Sequence, residues 1–257
     1  MFAVEDRHWW YRGVRREIQR ALRRANTSPG TWLDAGCGTG GLLHGLTPKG
    51  HAFGADVSSD ALRLARSRGL SRIAQASVTA LPFRAAGFDV ITSIDVLAHR
   101  LVEEGEALRE LHRCLTPGGL LVLQVPAFES LRGGHDDAVW TRRRYRKREV
   151  AQMLRSSGFV VRELFYRNSL LFPLAAIRRL FVRRSRAAEP RSDVSPVAAP
   201  INAALFLALE LDAGLRGAGL RLPFGLSVFC VATKADEAAP RARIGFPPPD
   251  SGERGSG

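Results

Sequence analysis

A glycine-rich stretch near the N-terminus constrains the fold of this chain more than any other feature. The stretch reads LDAGCGTG at residues 33–40; it ends a β-like run at 31–35 and precedes a helix-like run that begins near Gly41. A strand that turns through glycines into a helix brings backbone N–H groups and a helix N-terminus close to a ligand. Glycine suits this turn because positive φ costs it little and it has no Cβ to block the ligand. The stretch therefore predicts a ligand site at the end of the first strand of an α/β domain.

A carboxylate at the end of the next predicted strand supports the same site. Asp56 closes the β-like run at 51–55 and lies twenty positions after Gly36. This spacing suits a carboxylate that accepts hydrogen bonds from ribose hydroxyls. The glycine order is D-x-G-x-G-x-G, whereas a nicotinamide site has G-x-G-x-x-G, which argues against a nucleotide-binding oxidoreductase. A purely structural glycine turn in another α/β domain is the remaining alternative.

The order of short motifs along the chain resembles that of class I S-adenosylmethionine-dependent methyltransferases. The motifs are LDAGCGTG, GADVSSDAL, ALPF, FDVITSIDVLAH and LTPGGLLVLQVP, which together cover roughly residues 30–126 densely. The resemblance implies a Rossmann-like α/β fold with a seven-stranded, mostly parallel sheet and an antiparallel last strand. It also implies an enzyme that uses S-adenosyl-L-methionine and transfers a methyl group by in-line displacement.

The alternation of strand-like and helix-like runs predicts a parallel sheet with helical crossovers. The predicted strands span 31–35, 51–56, 71–76, 88–94, 120–125, 159–165 and 225–233. The predicted helices span 5–25, 40–47, 59–68, 103–115 and 147–157. We expect one domain over 1–234, with 5–25 as an N-terminal cap helix and a helical insertion at 168–222 that contains a linker at 183–200. The polar, proline- and glycine-rich residues 235–257 read as a disordered tail.

The resemblance also implies which residues contact the cofactor. They are Asp34, Gly36, Gly38, Gly40, Asp56, Val57, Ser77, Val78, Ser93 and Ile94. Asp34 is a candidate to orient the methionine amino group or, alternatively, to cap the loop, and Val57 is a candidate to pack on adenine or simply in the core. Ser77 departs from the family pattern, since relatives often have an acidic residue there that accepts from the adenine amino group. A hydroxyl accepts the same bond more weakly.

Two histidines are candidates for a catalytic base. His135 follows the fifth predicted strand, near the expected acceptor pocket, and His99 follows the fourth strand, where an ordinary surface histidine is the alternative. Methyl transfer proceeds largely by alignment and desolvation, so only acceptors with a high pKa need a base. The three cysteines have no paired or metal-like spacing, so we predict no metal site.

The acceptor is indicated only by a looser resemblance. The segments at 8–11, 135–145 and 168–173 resemble a subgroup of bacterial methyltransferases often associated with polyprenyl-linked glycan or lipid pathways. A small-molecule or lipid-linked acceptor is therefore the leading hypothesis. An RNA methyltransferase is the alternative within enzymes, and a non-catalytic cofactor-binding module is the alternative outside them. The net charge of +13 is concentrated in residues 1–24 and 132–186. This excess either favours an anionic partner or reflects an arginine-rich composition. No RNA-binding motif is present in the sequence.

The sequence also predicts where in the cell the protein is located. The first residues lack a signal pattern, and no apolar run reaches the roughly 18–20 residues that span a bilayer. The cysteines suggest a reducing compartment. We therefore expect a cytoplasmic protein. Residues 169–181 and 201–211 are apolar, and the first segment is paired with four arginines, Arg178, Arg179, Arg183 and Arg184. Such helices either lie on an anionic membrane surface or pack on the sheet or on a second subunit, and the oligomeric state stays open.

Overall fold

One seven-stranded sheet organises the protein. The computed structural model describes residues 2, 4–27, 30–46, 51–177 and 197–235. The strands are β1 (Trp32–Ala35), β2 (Ala52–Asp56), β3 (Ile73–Gln75), β4 (Phe88–Ile94), β5 (Leu115–Pro126), β6 (Phe159–Arg167) and β7 (Ser227–Lys234). Their order is β3-β2-β1-β4-β5-β7-β6, with parallel pairing from β3 to β5 and with β7 antiparallel between β5 and β6. The predicted Rossmann-like fold is confirmed.

Helices cover both faces of this sheet. They are α1 (Trp9–Arg24), α2 (Gly41–Leu46), α3 (Ser59–Ser67), α4 (Glu104–Cys114), α5 (Gly134–Ala138), α6 (Lys147–Ser156), the described part of α7 (172–177) and α8 (Ala199–Gly217). Both α7 and α8 belong to the predicted insertion between the last two strands. The predicted linker lies outside the described residues up to 196, and the predicted tail lies outside them from 236 onward.

Alternation along the strands separates two hydrophobic cores. Leu33 and Ile91 point to the side of the sheet that α4 covers, whereas their neighbours Trp32 and Val90 point to the side that α1 covers. Successive side chains of a strand face opposite sides of a sheet, which explains the division. Ile18 of α1 is fully buried in the second core. The cap helix is therefore an integral layer of the domain.

Two residues determine where α3 begins and where it ends. The Ser58 hydroxyl accepts a hydrogen bond from the Ala61 N–H at 3.2 Å and caps α3, and Gly69 ends the same helix with a φ of +83°. Both ends were predicted from the sequence, because serine is a good N-cap and glycine adopts the left-handed conformation easily.

Two predicted boundaries are wrong. α1 begins at Trp9 rather than at residue 5, because His8 is the N-cap and its Nδ1 accepts from the Trp10 N–H at 3.3 Å. β5 begins at Leu115, not at residue 120, because the Thr116 hydroxyl donates to the Phe88 carbonyl at 3.1 Å and keeps the turn-like Pro-Gly-Gly sequence at the sheet.

The insertion packs on the cap helix. Arg216 of α8 donates to the buried carboxylate of Glu17 at 2.6 Å, and Arg20 of α1 donates to Glu210 at 2.6 Å. α8 nevertheless leaves Leu207 and Leu211 more than half exposed. Among the described residues, no helix combines the length and the apolar character needed to cross a membrane.

Candidate functional site

A cavity of about 1160 Å³ lies at the carboxyl ends of the central strands. Its walls come from the glycine loop, the end of β4, α1, α5, α7 and α8. Ligands of open α/β sheets bind at this edge. The wall includes most of the residues predicted from the sequence, namely Asp34, Gly36, Gly38, Asp56, Val57, Ser77, Val78, Ile94, His99 and His135.

The glycine loop between β1 and α2 contains three residues with positive φ. A Cβ on Gly36 would lie 2.1 Å from Val96 Cγ2, and one on Gly40 would lie 2.3 Å from Leu70 Cδ1. A Cβ on Gly38 would meet nothing within 4 Å. Gly36 and Gly40 are therefore required by the packing of the loop, whereas the space that a side chain at Gly38 would occupy is open.

Asp56 connects the glycine loop to β2. Its Oδ2 accepts from the Gly38 N–H at 2.8 Å, and its Oδ1 accepts from the Ser58 N–H at 2.9 Å. Each carboxylate oxygen has a further lone pair. Asp56 can thus hold the loop and still accept hydrogen bonds from a pair of vicinal hydroxyls.

Asp34 is buried at the end of β1. Its Oδ1 accepts from the Thr92 hydroxyl at 2.7 Å, and that hydroxyl in turn accepts from Trp32 Nε1 at 3.0 Å. Burial raises the pKa of Asp34 to about 7, the Thr92 hydrogen bond opposes this rise, and the negative charges of Asp56 and Glu5 add to it. The carboxyl is therefore partly protonated at neutral pH, and a ligand ammonium group would favour its ionised form.

The predicted adenine end consists of Val57, Ser77 and Val78. Val57 is 60% exposed at the cavity wall, so it is not an ordinary core residue. The Ser77 hydroxyl lies 2.7 Å from the Thr79 hydroxyl and accepts from the Thr79 N–H at 3.2 Å. Ser77 therefore shapes this turn in addition to lining the cavity.

Ser93 and Ile94, two predicted cofactor contacts at the end of β4, differ in whether they line the cavity. Ile94 lies in the cavity wall, whereas Ser93 is fully buried and does not line the cavity. Adjacent residues of a strand point to opposite faces, which explains the separation. The predicted contact of Ser93 with the methionine portion is not supported by this placement.

Both candidate bases line the cavity. His135 lies on α5, and His99 follows β4. The ring of His99 stacks on Trp140 with a centroid distance of 6.3 Å, and its Nδ1 accepts from the Leu101 N–H at 3.2 Å. Burial lowers the pKa of His99, and the Arg100 charge lowers it further, so this imidazole is neutral at pH 7.

The residues that precede α1 form part of the cavity wall, a role that the sequence indicated only loosely. The Glu5 carboxylate accepts a hydrogen bond from the Thr39 hydroxyl of the glycine loop and pairs with Arg68 at 3.2 Å. Arg68 also pairs with Asp6 at 2.8 Å. The segment at 8–11 carried only the looser family resemblance, and no local pattern identified Glu5 as the contact to the loop.

Asp95 is a further wall residue that the sequence did not single out. It follows β4 with a φ of +60°, and Gln124 of β5 donates to its Oδ2 at 3.1 Å. Arg167 of β6 donates to the same Gln124 side chain at 2.8 Å. Among the described residues, no group of three or more His, Cys, Asp or Glu side chains is placed to bind a metal ion.

Comparison with known families identifies the domain. Residues 33–123 match the model of a family described as a methyltransferase domain. The match contains the glycine loop, Asp56, Ser77 and the end of β4. Residues 33–123 therefore form a methyltransferase domain.

Proteins that share this methyltransferase domain have different names and sizes. A Bos taurus protein named probable tRNA methyltransferase 9B is 38% identical over 104 residues, which are 39% of this chain and 22% of that protein. The demethylmenaquinone methyltransferase of Thermus thermophilus is 38% identical over 121 residues, 44% of this chain and 53% of that protein. The geranyl diphosphate C-methyltransferase of Streptomyces coelicolor has a similar fold, with a TM-score of 0.55 at 14% identity over 86% of this chain and 77% of that one. The chain thus spans about a fifth to a half of the length of these two curated relatives.

The predicted cofactor is confirmed at the level of the family, because class I methyltransferases use S-adenosylmethionine. The residues present fit that cofactor: Gly38 leaves open space beside its Cα, Asp56 offers acceptors for the ribose, and Asp34 offers a carboxyl for the amino group.

Replacement of Gly36 tests the packing of the methyltransferase loop. Gly36→Ala should lower the free energy of unfolding by about 2–5 kcal/mol, since it combines positive φ with a clash against Val96. Gly69→Ala is the matched control, because Gly69 has positive φ and open space, and it should cost only about 1–2 kcal/mol. Urea unfolding measures both, and in a Val96→Ala background the penalty of Gly36→Ala should fall towards that of Gly69→Ala. Equal penalties for the two glycines in the wild-type background would contradict the clash.

Replacement of Asp56 tests the ribose contact. Asp56→Ala should weaken binding of S-adenosylhomocysteine at least tenfold, or by about 1.4 kcal/mol, in isothermal titration calorimetry. Asp60→Ala is the control, because the Asp60 side chain is 78% exposed on α3, and it should leave affinity unchanged. An Asp56→Ala variant that is folded and binds as tightly as the wild type would exclude the ribose role.

Proposed function

We propose that this protein transfers a methyl group from S-adenosylmethionine to a small-molecule or lipid-linked acceptor by in-line displacement. The observation that carries the proposal is a single cavity with a polar end at the glycine loop and an apolar end at the insertion. Its volume of about 1160 Å³ exceeds the roughly 300–1,000 Å³ of ordinary ligand pockets, so it has room for a cofactor and an acceptor together.

The polar end would bind and orient the cofactor, which supplies an activated methyl group on a sulfonium sulfur. Asp56, which the Gly38 N–H holds in place, would fix the ribose, and Asp34 would fix the amino group. Because Asp34 lies on β1 and Asp56 on β2, the two carboxylates would hold the cofactor at two separate points. The methyl group would then have one orientation. Alignment of the acceptor along that direction accounts for much of the rate that such enzymes achieve.

The apolar end would bind the acceptor. Its wall includes side chains from α5, α7 and α8 and from the residue range before α8, namely Val139, Leu171, Leu174, Ala175, Val197 and Leu205. An apolar wall suits an acceptor with a hydrocarbon portion. The relative named demethylmenaquinone methyltransferase is consistent with an acceptor of this kind.

His135 and His99 remain candidate bases for an acceptor atom with a high pKa. Both imidazoles line the same cavity as the cofactor loop. Burial lowers the pKa of His99 and favours its neutral form, in which the Nδ1 lone pair accepts from the Leu101 N–H, so His99 would accept a proton at Nδ1 only after that hydrogen bond opens.

RNA methylation is the second candidate function. It is favoured by the net charge of +13 and by the relative named probable tRNA methyltransferase 9B. A module that binds the cofactor without catalysis is the third candidate, and it would release no S-adenosylhomocysteine.

A transfer assay separates the three candidates. The purified protein is incubated with methyl-labelled S-adenosylmethionine and, in parallel, with bacterial lipid extract, a small-molecule extract or total RNA. We expect label in a lipid or small-molecule species, and we expect Asp56→Ala to reduce it. Label that enters only RNA would overturn the proposed acceptor class. Cofactor binding without S-adenosylhomocysteine release in any extract would support the non-catalytic module.

We also propose that the protein is cytoplasmic and attaches peripherally to membranes through α7 and α8. Leu174, Ile177 and Ile201 are each more than half exposed, as are Leu207 and Leu211. The arginines predicted to meet anionic headgroups, Arg178, Arg179, Arg183 and Arg184, lie outside the described residues.

Vesicle flotation tests this attachment. The protein should float with strongly anionic phosphatidylglycerol vesicles at low salt, and a Leu207→Ser/Leu211→Ser variant should float less because apolar insertion is weakened. Both side chains are exposed, so the change should leave the free energy of unfolding nearly unaltered. Protein that stays unbound on anionic vesicles would reject the membrane proposal.

A further inference from the structure

Glu5 is a buried carboxylate at the glycine-loop end of the cavity, and it lies outside the matched methyltransferase domain. The match covers residues 33–123, whereas Glu5 precedes α1. Its exposed fraction is only 6%, and it belongs to the cavity wall. Glutamate is almost never fully buried unless its charge is paired, so the partners of Glu5 are informative.

One oxygen of this carboxylate anchors it to two neighbouring elements. Glu5 Oε2 accepts from the Thr39 hydroxyl in the glycine loop, and it accepts from Arg68 Nη2, at the end of α3, at 3.2 Å. The same guanidinium donates to the two oxygens of Asp6 at 2.9 and 2.8 Å. Because Arg68 is shared between two carboxylates, the group keeps a net negative charge.

Gly41 leaves the space in which this carboxylate lies. A Cβ on Gly41 would lie 2.2 Å from Glu5 Cδ and 2.5 Å from Glu5 Oε1. Gly41 is the first residue of α2 and does not have a positive φ. Glycine is therefore needed here for the space that Glu5 occupies and not for its backbone freedom.

The second oxygen of the Glu5 carboxylate is accessible. Glu5 Oε1 accepts no hydrogen bond among the described residues. It is also absent from the buried, unpartnered side-chain atoms of the same part of the chain, a group that includes Asp95 Oδ1. Since Glu5 lines the cavity, a bound molecule can approach this oxygen.

The charge of Glu5 acts on other groups that line the same end of the cavity. Burial raises the pKa of Asp34 to about 7, and the negative charges of Asp56 and Glu5 add to this rise. Burial also raises the pKa of the Tyr11 hydroxyl, and Glu5 again adds to the rise. Carboxylates that repel one another in this way favour a ligand with positive charge.

We propose that Glu5 makes this site prefer the positively charged cofactor S-adenosylmethionine over its product S-adenosylhomocysteine. The inference rests on the proposed methyl transfer and adds a specificity-determining residue to it. The two molecules share their adenosine and amino acid groups and differ in the methyl group and the positive charge on sulfur. A carboxylate that senses this charge favours binding of the substrate and release of the product.

The contacts proposed for the cofactor bring its sulfur within reach of this charge. In the covalent structure of the cofactor, the sulfur lies between the ribose and the amino acid group, whose proposed partners are Asp56 and Asp34. Glu5 interacts electrostatically with Asp34, so its charge acts on the same end of the ligand. Two unit charges about 4 Å apart attract by about 1 kcal/mol even in bulk water, which corresponds to about fivefold in affinity.

A pair of ligands tests the preference without an acceptor and without turnover. Sinefungin is a stable cofactor analogue with a protonated amine in place of the sulfonium, and S-adenosylhomocysteine is its neutral counterpart. Affinity for each is measured by isothermal titration calorimetry at pH 8, where Asp34 is mostly ionised. Glu5→Gln keeps an oxygen that accepts from Thr39 but removes the charge. It should weaken sinefungin binding about fivefold and change S-adenosylhomocysteine binding by less than about twofold.

Two further variants separate the charge from the packing. Asp6→Asn removes a carboxylate that binds the same Arg68, but its side chain is 55% exposed and does not line the cavity. This variant should keep the wild-type ratio of the two affinities. Gly41→Ala places a methyl group where the Glu5 carboxylate lies and should displace it, so the ratio should fall as in Glu5→Gln. Gly41→Ala carries the test even if Glu5→Gln does not fold.

The outcomes separate this proposal from the proposed function. Failure of the wild type to bind either ligand would count against methyl transfer itself. Normal binding of both ligands, with the wild-type ratio retained in Glu5→Gln and Gly41→Ala, would overturn the role of Glu5 alone. Equal loss of affinity for both ligands would mean that Glu5 only supports the loop, and an equal fall of the ratio in Asp6→Asn would assign the effect to any nearby acid. Either result would also overturn the proposal.

Discussion

The two hydrogen bonds that Asp56 accepts are the interaction on which the site depends. They join the Gly38 N–H in the loop after β1 to the Ser58 N–H at the start of α3, so one carboxylate sets the distance between two adjacent crossovers. The loop can take this shape only because Gly36, Gly38 and Gly40 all adopt positive φ. The loop conformation held in this way places Gly38 and Asp56 together in the cavity wall, beside Asp34 at the end of β1.

Much of the fold could be predicted from the sequence, because its signals are local. Ser58 and Gly69 mark the ends of α3, and the alternation of runs gives the parallel sheet. The boundary between α4 and β5 could not be read in the same way. Pro117, Gly118 and Gly119 have the composition of a free turn, yet a contact from Thr116 to the neighbouring strand keeps them at the sheet edge. Long-range pairing overrides local propensity there.

The candidate site was predictable where a motif lies on one loop and not where it is assembled across strands. Asp34 and Asp56 stand at the ends of predicted strands, so their convergence follows from the topology. Asp95, Gln124 and Arg167 come from three strands far apart in the chain, and no spacing in the sequence pairs them. The predicted contact of Ser93 shows a second limit, because adjacent residues of a strand face opposite sides of the sheet and Ser93 lies on the side away from the cavity wall.

The packing of α8 on α1 has a consequence for how the protein is made. Arg20 and Glu210 are 190 residues apart in the chain, and α1 completes its contacts only after α8 has been synthesised. At about 5–20 residues per second, that separation corresponds to roughly 10–40 s of synthesis. During this interval the glycine loop and the first strands exist without the wall that α8 gives to the cavity. The site is therefore among the last parts of the nascent chain to form, although its central motif is among the first to be synthesised.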